Sequence, residues 1–382
     1  MKTSMETLCV HGGQHSYADG ARSLTMPIYQ SAAFSHLVPG HNEHGFDYTR
    51  ISNPTRQHLE ETVSALEGAA YTIAFTSGMA AISCMFEQFA PGDHIVCSED
   101  LYGGTVLLMN LVNQKNGLRF SFVDTTDNAA VEAALTPDTK AIYIETPSNP
   151  MMNVTDIRFC ADAAKKVGAK LIVDNTFLSP YFQNPIAYGA DIVIHSGTKF
   201  LGGHNDTISG FICCADKTLG EQLHKIAYAM GSTLSPFDSY MMIRGIKTLA
   251  VRMERQQQTA LAIAKWLQGQ EKVAKVYYVG LPDHPGYERN ASQSRGSGSM
   301  LSFALDTPET ALKILQNVKV ATFAESLGGP ETLITIPAIQ THKDVAEEDR
   351  LKLGITNSLL RMSVGLENAD DLIADLDQAL NA

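Results

Sequence analysis

The segment Asp191-Ile-Val-Ile-His-Ser-Gly-Thr-Lys-Phe-Leu-Gly-Gly-His204 joins an apolar run of strand length to a turn made of hydroxyls, a lysine and a glycine pair. A short apolar run bounded by turn residues reads as a strand buried on both faces, as in a parallel sheet. Lys199 stands just beyond it. Burying an ammonium group is costly, and that cost depresses its pKa and frees the neutral amine as a nucleophile toward carbonyls, the requirement of Schiff-base chemistry. A solvated turn lysine is the plain alternative, so the neighbours must decide. Ser196 and Thr198 flank the lysine at alternating positions and offer hydroxyls to a phosphate while Lys199 reaches an aldehyde.

Outward from this segment the same texture recurs. Apolar runs at 72–75, 94–97, 119–123, 141–145, 171–174, 191–195 and 210–214 are each bounded by turn residues, and helix-length stretches such as 79–89, 106–115 and 157–167 separate most of them. Seven strands alternating with helices predict an α/β domain with a mainly parallel sheet covered on both faces. Before it, Thr55 to Leu66 reads as a helix stopped by Gly68, and residues 1–57 carry no sustained apolar period, which suits an arm lying on another surface. After about Gly231 a long helical stretch, 235–270, reads as one kinked helix or two. Strands at 273–279, 299–305, 321–323 and 359–363, with helices at 309–316 and 369–380, then predict a smaller α+β domain. The expected division is an arm at 1–57, a central domain at 58–231 and a C-terminal domain with its linking helix at 232–382.

Four more features carry chemistry. Leu171-Ile-Val-Asp-Asn175 ends an apolar strand on an acid, which places Asp174 at the carboxyl end of a parallel strand, where open α/β sheets bind ligands. There it can pair with a protonated ring nitrogen or serve simply as a turn or cap residue. Phe75-Thr-Ser-Gly-Met-Ala-Ala81 runs from strand through glycine into helix and offers free N–H groups to a phosphate. Tyr102 in Tyr102-Gly-Gly-Thr105 can stack on a flat ring or pack as a loop residue. Arg361, inside the apolar Leu359-Leu-Arg-Met-Ser363, needs an anion, either an internal acid or a substrate carboxylate. The dinucleotide fingerprint is missing its third glycine around Gly296 and Gly298, and no nucleotide P-loop occurs. A Schiff-base lysine, a pyridinium acid, a ring stacker, phosphate donors and a carboxylate clamp together imply pyridoxal phosphate and an amino acid.

Composition narrows the field further. The 382 residues carry a net charge of −12, which repels nucleic acid and anionic membranes alike. No signal-peptide-like start and no window near the roughly 20 apolar residues of a membrane span are found, so a cytoplasmic location is expected. The six cysteines show no zinc spacing, and adjacent Cys213 and Cys214 would face opposite sides of a strand, so buried thiols are expected. A metal hydrolase built on His11, His15, His41 and His44 is a rival reading, but these histidines lie in the arm without acidic support, and no metal is expected.

These residues, with Asp47-Tyr-Thr-Arg-Ile-Ser-Asn-Pro-Thr-Arg56, Thr76-Ser-Gly-Met79, Glu145-Thr-Pro-Ser-Asn-Pro150, Val173-Asp-Asn-Thr176 and Glu325-Ser-Leu-Gly-Gly329, make the chain resemble the Cys/Met-metabolism family of pyridoxal-phosphate enzymes over nearly its whole length. The family contains cystathionine γ-synthases, cystathionine β- and γ-lyases, methionine γ-lyases and O-acylhomoserine sulfhydrylases. The resemblance implies their type I fold, with Lys199 bound to the cofactor aldehyde, Asp174 on the pyridine nitrogen and Tyr102 stacked on the ring. It also implies Gly78, Met79, Ser196 and Thr198 on the phosphate, and Tyr48 and Arg50 reaching the phosphate of a neighbouring subunit in a homotetramer of catalytic dimers. Asn149, Glu325, Ser326 and Arg361 fall at positions that handle the substrate or orient the cofactor.

Two departures bear on the substrate. Methionine γ-lyases usually carry a cysteine where this chain has Gly104, and many cystathionine enzymes an arginine where it has Leu107. The expected reaction is carbon–sulfur cleavage of cystathionine or a related sulfur amino acid, with Lys199 as the base and Tyr102 as proton donor to the leaving group. A γ-replacing enzyme using an O-acylhomoserine is the alternative, and a metabolite-binding protein that kept the fold is the non-enzymatic one.

Overall fold

The computed structural model describes residues 3–13 and 23–382. Seven strands, β1 (Tyr71–Phe75), β2 (His94–Ser98), β3 (Arg119–Val123), β4 (Thr139–Glu145), β5 (Lys170–Asp174), β6 (Ile192–Ser196) and β7 (Gly210–Cys214), form one sheet in the order β1-β7-β6-β5-β4-β2-β3. The pairs from β3 through β2, β4 and β5 to β6 are parallel, while β7 runs antiparallel to both β6 and β1. The link from Gly197 to Ser209 holds no crossover helix, so the chain can only turn back beside β6. In register, Glu145 lies beside Asp174, Asp174 beside Ile194, and Ser196 beside Gly210. The carboxyl ends of β4, β5 and β6 thereby gather the polar residues that end each apolar run.

Local signals set the helices. Asn53 caps Pro54–Glu67 by accepting from Thr55 N, and Gly68, at φ 74°, ends it in the left-handed conformation. Ser77 caps Gly78–Phe86 through Ala80 N. That helix stops short of the expected Phe89, before Pro91 and Gly92. The expected helix at 106–115 starts earlier, as Gly103–Leu108, and continues as a π turn over Met109–Asn113. The long stretch at 235–270 is two helices, Pro236–Ile246 and Leu249–Leu267.

A second sheet contains β8 (Val273–Tyr277), β9 (Met300–Leu305), β10 (Thr322–Phe323), β11 (Leu333–Thr335) and β12 (Leu359–Ser363), in the order β10-β11-β12-β9-β8. It packs against the helices Pro308–Asn317 and Ala369–Leu380 around its own apolar cluster. The helix Leu249–Leu267 joins the two cores: Leu249 and Met253 are buried with the large sheet, Ile263 and Leu267 with the small one.

The N-terminal segment is less bare than expected. It holds a helix, Met5–His11, and it buries Cys9 and Met26 in the larger core. All six cysteines are free and buried. Among the described residues no group of three metal-ligating side chains gathers, and His15 of the metal reading lies outside the described residues. No helix among them is long and apolar enough to cross a membrane.

Candidate active site

A cavity of about 240 Å³ opens at the carboxyl ends of β4, β5 and β6 and is closed on its far side by the segments around Glu325 and Arg361. Eleven of the expected site residues line it: Gly78, Met79, Tyr102, Asn149, Asp174, Ser196, Thr198, Lys199, Glu325, Ser326 and Arg361. Tyr48 and Arg50 do not. Both lie on the outside of the chain, where the Arg50 guanidinium sits 4.5 Å from the Tyr228 ring centroid and donates to the Tyr228 carbonyl at 3.0 Å. A larger cleft of about 720 Å³, beside β8, holds none of these residues.

Lys199 is poised as a nucleophile. Burial, and then the charge of Arg361, push its pKa down to about 8, and its Nζ donates to Ser326 Oγ at 3.1 Å. Ser326 itself has φ 90°, an unfavourable conformation for a residue with a side chain, and the one that puts its hydroxyl on Lys199 and its carbonyl on Arg361.

Asp174 is both a turn residue and a site acid. Its Oδ1 accepts from Thr176 N at 3.0 Å and Thr176 Oγ1 at 2.6 Å, which fixes the carboxylate and leaves Oδ2 for the cavity. Burial raises its pKa, and burial together with the neighbouring Asp174 charge raises that of Glu145 further. Two adjacent acids deprived of water are stabilised by a cation placed against them. Glu145 Oε2 also accepts from Tyr102 N at 2.9 Å and so anchors the segment that carries the ring.

Arg361 lies within the cavity lining. Among the described residues it forms no ion pair: Nη1 donates to Asn149 Oδ1 at 3.0 Å, Nη2 to the Ser326 carbonyl at 3.2 Å, and the buried Nε has no partner. Burial lowers its pKa to about 10, so it remains a cation at neutral pH. Glu325 and Glu145 lie near enough to favour its charge, but neither reaches it directly, so the guanidinium opens on the cavity with room for an anion.

The corner expected to take a phosphate lies at the start of the helix Gly78–Phe86, whose first N–H groups have no partner within the helix. A Cβ at Gly78 would stand 3.0 Å from that of Ser196, so glycine lets this helix end approach β6. Thr198 lines the cavity, and its hydroxyl accepts from Ser209 N at 3.0 Å and donates to the Ser209 carbonyl at 3.2 Å. Thr176, Glu145 and Ser77 received no role from the sequence. The Asp-x-Thr spacing of an Asx turn was a usable sign for Thr176, whereas the Glu145 contact with Tyr102 depends on chain pairing.

An aldehyde flanked by a ring nitrogen and a phosphate fits this donor set: an amine of depressed pKa, a carboxylate with a free oxygen, and a helix N-terminus with a free hydroxyl from Ser196. The Cys/Met metabolism PLP-dependent enzyme family matches residues 6–381. The chain belongs to that family. Its cofactor is accordingly pyridoxal 5′-phosphate. The enzyme is 46% identical over 375 residues to cystathionine gamma-lyase of Bacillus subtilis, covering 98% of each chain, and 44% identical to cystathionine beta-lyase MetC of the same organism, covering 99% of this chain and 96% of the relative. Among solved structures, cystathionine gamma synthase from Xanthomonas oryzae pv. oryzae in complex with cystathionine superposes with a TM-score of 0.97 at 41% identity, over 100% of this chain and 98% of the other. Cystathionine gamma-lyase from Lactobacillus plantarum gives 0.96 at 42% identity, over 99% of each. The type I fold and the carbon–sulfur chemistry expected from the sequence both agree with these relatives.

Proposed function

We propose that the enzyme is a lyase that cleaves a carbon–sulfur bond of cystathionine or a closely related sulfur amino acid, releasing a thiol, a keto acid and ammonia. The observation that carries the reading is Arg361, a buried cation in direct contact with no acid, facing the same cavity as the amine of Lys199. An amino acid offers what that pair lacks, a carboxylate for Arg361 and an α-carbon within reach of Lys199.

When bound, the cofactor supplies an electron sink that lowers the cost of negative charge at the substrate α-carbon. Asp174 keeps the ring nitrogen protonated through its free oxygen. The N–H groups at Gly78 and Met79 would hold the phosphate with Ser196 and with Thr198, whose hydroxyl would turn its hydrogen from the Ser209 carbonyl. Arg361, oriented by Asn149 and Ser326, receives the α-carboxylate. Lys199, whose amine would hold the cofactor aldehyde, would take the α-proton of the substrate, a task for which a pKa of about 8 suits it near neutral pH. Tyr102 covers the ring and delivers a proton to the departing sulfur, and Glu325 faces the distal part of the substrate. Tyr48 and Arg50, outside their own cavity, complete the phosphate site of a neighbour in a homotetramer made of catalytic dimers. The enzyme works in the cytoplasm.

Incubation of the holoenzyme with L-cystathionine, without added thiol, tests the reading by mass spectrometry of the products. Pyruvate with homocysteine marks β-elimination, and 2-oxobutyrate with cysteine marks γ-elimination. A cofactor-loaded protein that forms neither overturns the lyase reading. Leu107, where many cystathionine enzymes carry arginine, favours a second reading in that event: γ-replacement on an O-acylhomoserine, tested by adding that ester with cysteine.

A further inference from the structure

The loop after β11 carries a buried histidine for which the mechanism above has no use. His342 is 2% exposed, with Nε2 3.1 Å from the Asn149 carbonyl oxygen and Nδ1 2.9 Å from Thr341 Oγ1. Burial, and then the nearby Arg361 charge, hold its pKa down to about 4, so the ring is neutral at working pH and carries a single N–H. A carbonyl can only accept. We assign the ring proton to Nε2, which donates it to the Asn149 carbonyl and lets Nδ1 accept from the Thr341 hydroxyl; the Leu101 carbonyl is a second backbone oxygen close to the ring.

The backbone seats this ring firmly. His342 N donates to the Pro337 carbonyl at 2.9 Å, and the His342 carbonyl accepts from Val345 N at 3.1 Å. The Thr341 carbonyl lies 2.5 Å from where a Cβ at Gly103 would be, so glycine lets the loop rest on the first turn of the helix that follows Tyr102. Asn149 is thus gripped at both ends. Arg361 donates to its side-chain oxygen and His342 to its backbone oxygen.

We propose that His342 is a positioning residue that fixes Asn149 and, through Asn149, aims the Arg361 guanidinium at the substrate α-carboxylate. The inference rests on the reading of Arg361 as the carboxylate clamp. Without the Nε2 donor the Asn149 carbonyl is left unpaired, the residue turns to find another partner, and the fork of Arg361 loses the orientation that a two-point contact with a carboxylate needs.

The test uses holoenzyme and two probes read by the change in cofactor absorbance: L-alanine, which carries a carboxylate and no leaving group, and ethylamine, which has no carboxylate. His342→Met, which keeps the volume and removes the donor, weakens L-alanine binding about tenfold and leaves ethylamine binding within about twofold. His342→Gln, whose amide restores a donor at that reach, returns L-alanine affinity to within about threefold of the parent. Equal weakening of both probes marks a general structural role and overturns the proposal, as does a His342→Gln no better than His342→Met. Should His342→Met not fold, Thr341→Val removes the hydroxyl that orients the ring and carries the same expectation at about threefold. Arg361→Gln separates the two claims: unchanged L-alanine affinity there defeats the clamp itself, whereas a loss there without one in the His342 variants defeats only the positioning role. Hydrogen exchange of residues 337–346 in the cofactor-free variants reads the loop independently of binding.

Discussion

At the scale of the residue, Lys199 shows what the fold gives up for reactivity. An amine whose pKa falls from 10.5 to about 8 on burial corresponds to ~3 kcal/mol of disfavoured charge. Because the folded-state pKa lies below the unfolded one, that cost is complete below about pH 8, fades between there and 10.5, and is gone above. Lys199→Met in the cofactor-free protein is therefore expected to raise stability at pH 7 by up to ~3 kcal/mol, and the gain should vanish near pH 11, as read by urea denaturation at the two pH values. A gain that is the same at both would show that packing, not charge, is the source. Lys199, Asp174 and Arg361 were legible in the sequence for the same reason that they are costly: each is a charged residue at the end of, or inside, an apolar run. Glu145 ends an apolar run as Asp174 does, but its contact with Tyr102 was not legible, and His342 and Thr176 sit in unremarkable surroundings along the chain, so that their importance lies in partners that pairing and loop closure bring to them. Glu145 reaches Tyr102 only because β4 ends beside the segment that follows β2.

At the scale of the element, the strands were read almost to the residue, since a strand buried on both faces must be apolar throughout and must end at a turn. The antiparallel β7 was read as a strand, but its direction was not legible, because direction depends on what the link from Gly197 to Ser209 does. The helix Lys217–Met230 escaped notice although Asp216 caps it and Gly231 ends it, as only a narrow stripe, with Leu219, Gly220, Leu223 and Ala227, is buried. β11 is only three residues long, too short to show a period. Gly210 in β7 shows how elements fix the site together. A Cβ there would overlap the Ser77 carbonyl group and stand 2.6 Å from Gly78 N, which is backbone and cannot step aside. Gly210→Ala is expected to push the start of the helix Gly78–Phe86 off β7, cost about 1–3 kcal/mol of stability and, if that helix end holds the phosphate as proposed, weaken cofactor affinity by about tenfold or more. Titration of the cofactor-free protein with pyridoxal phosphate measures this. Unchanged affinity would mean that the helix end does not hold the phosphate.

At the scale of the whole molecule, the N-terminal segment bears on the proposed assembly of chains. Leu24 and Leu37 are more than four-fifths exposed, the described part of the segment has one β-bridge, between Ala33 and Tyr48, and Arg50, held by Tyr228, does not line the cavity of its own chain. If Tyr48 and Arg50 serve the neighbouring subunit's phosphate, each site is assembled from two chains, and damage in one chain can be offset by the other. Lys199→Ala and Arg50→Ala, each alone, are expected to be inactive or nearly so, the first for want of the base and the second for want of a phosphate donor. When the two variants are unfolded together and refolded as a mixture, half of the dimers hold one chain of each kind. In such a dimer one site carries both lesions and the other carries neither. Random pairing then restores about a quarter of the parent's sites, and activity should recover to about that fraction. If the residues acted within their own chain, every site in every mixed dimer would carry a lesion and no activity would return. Recovery near a quarter would place Tyr48 and Arg50 in the active site of the partner, and no recovery would return them to the surface of their own chain.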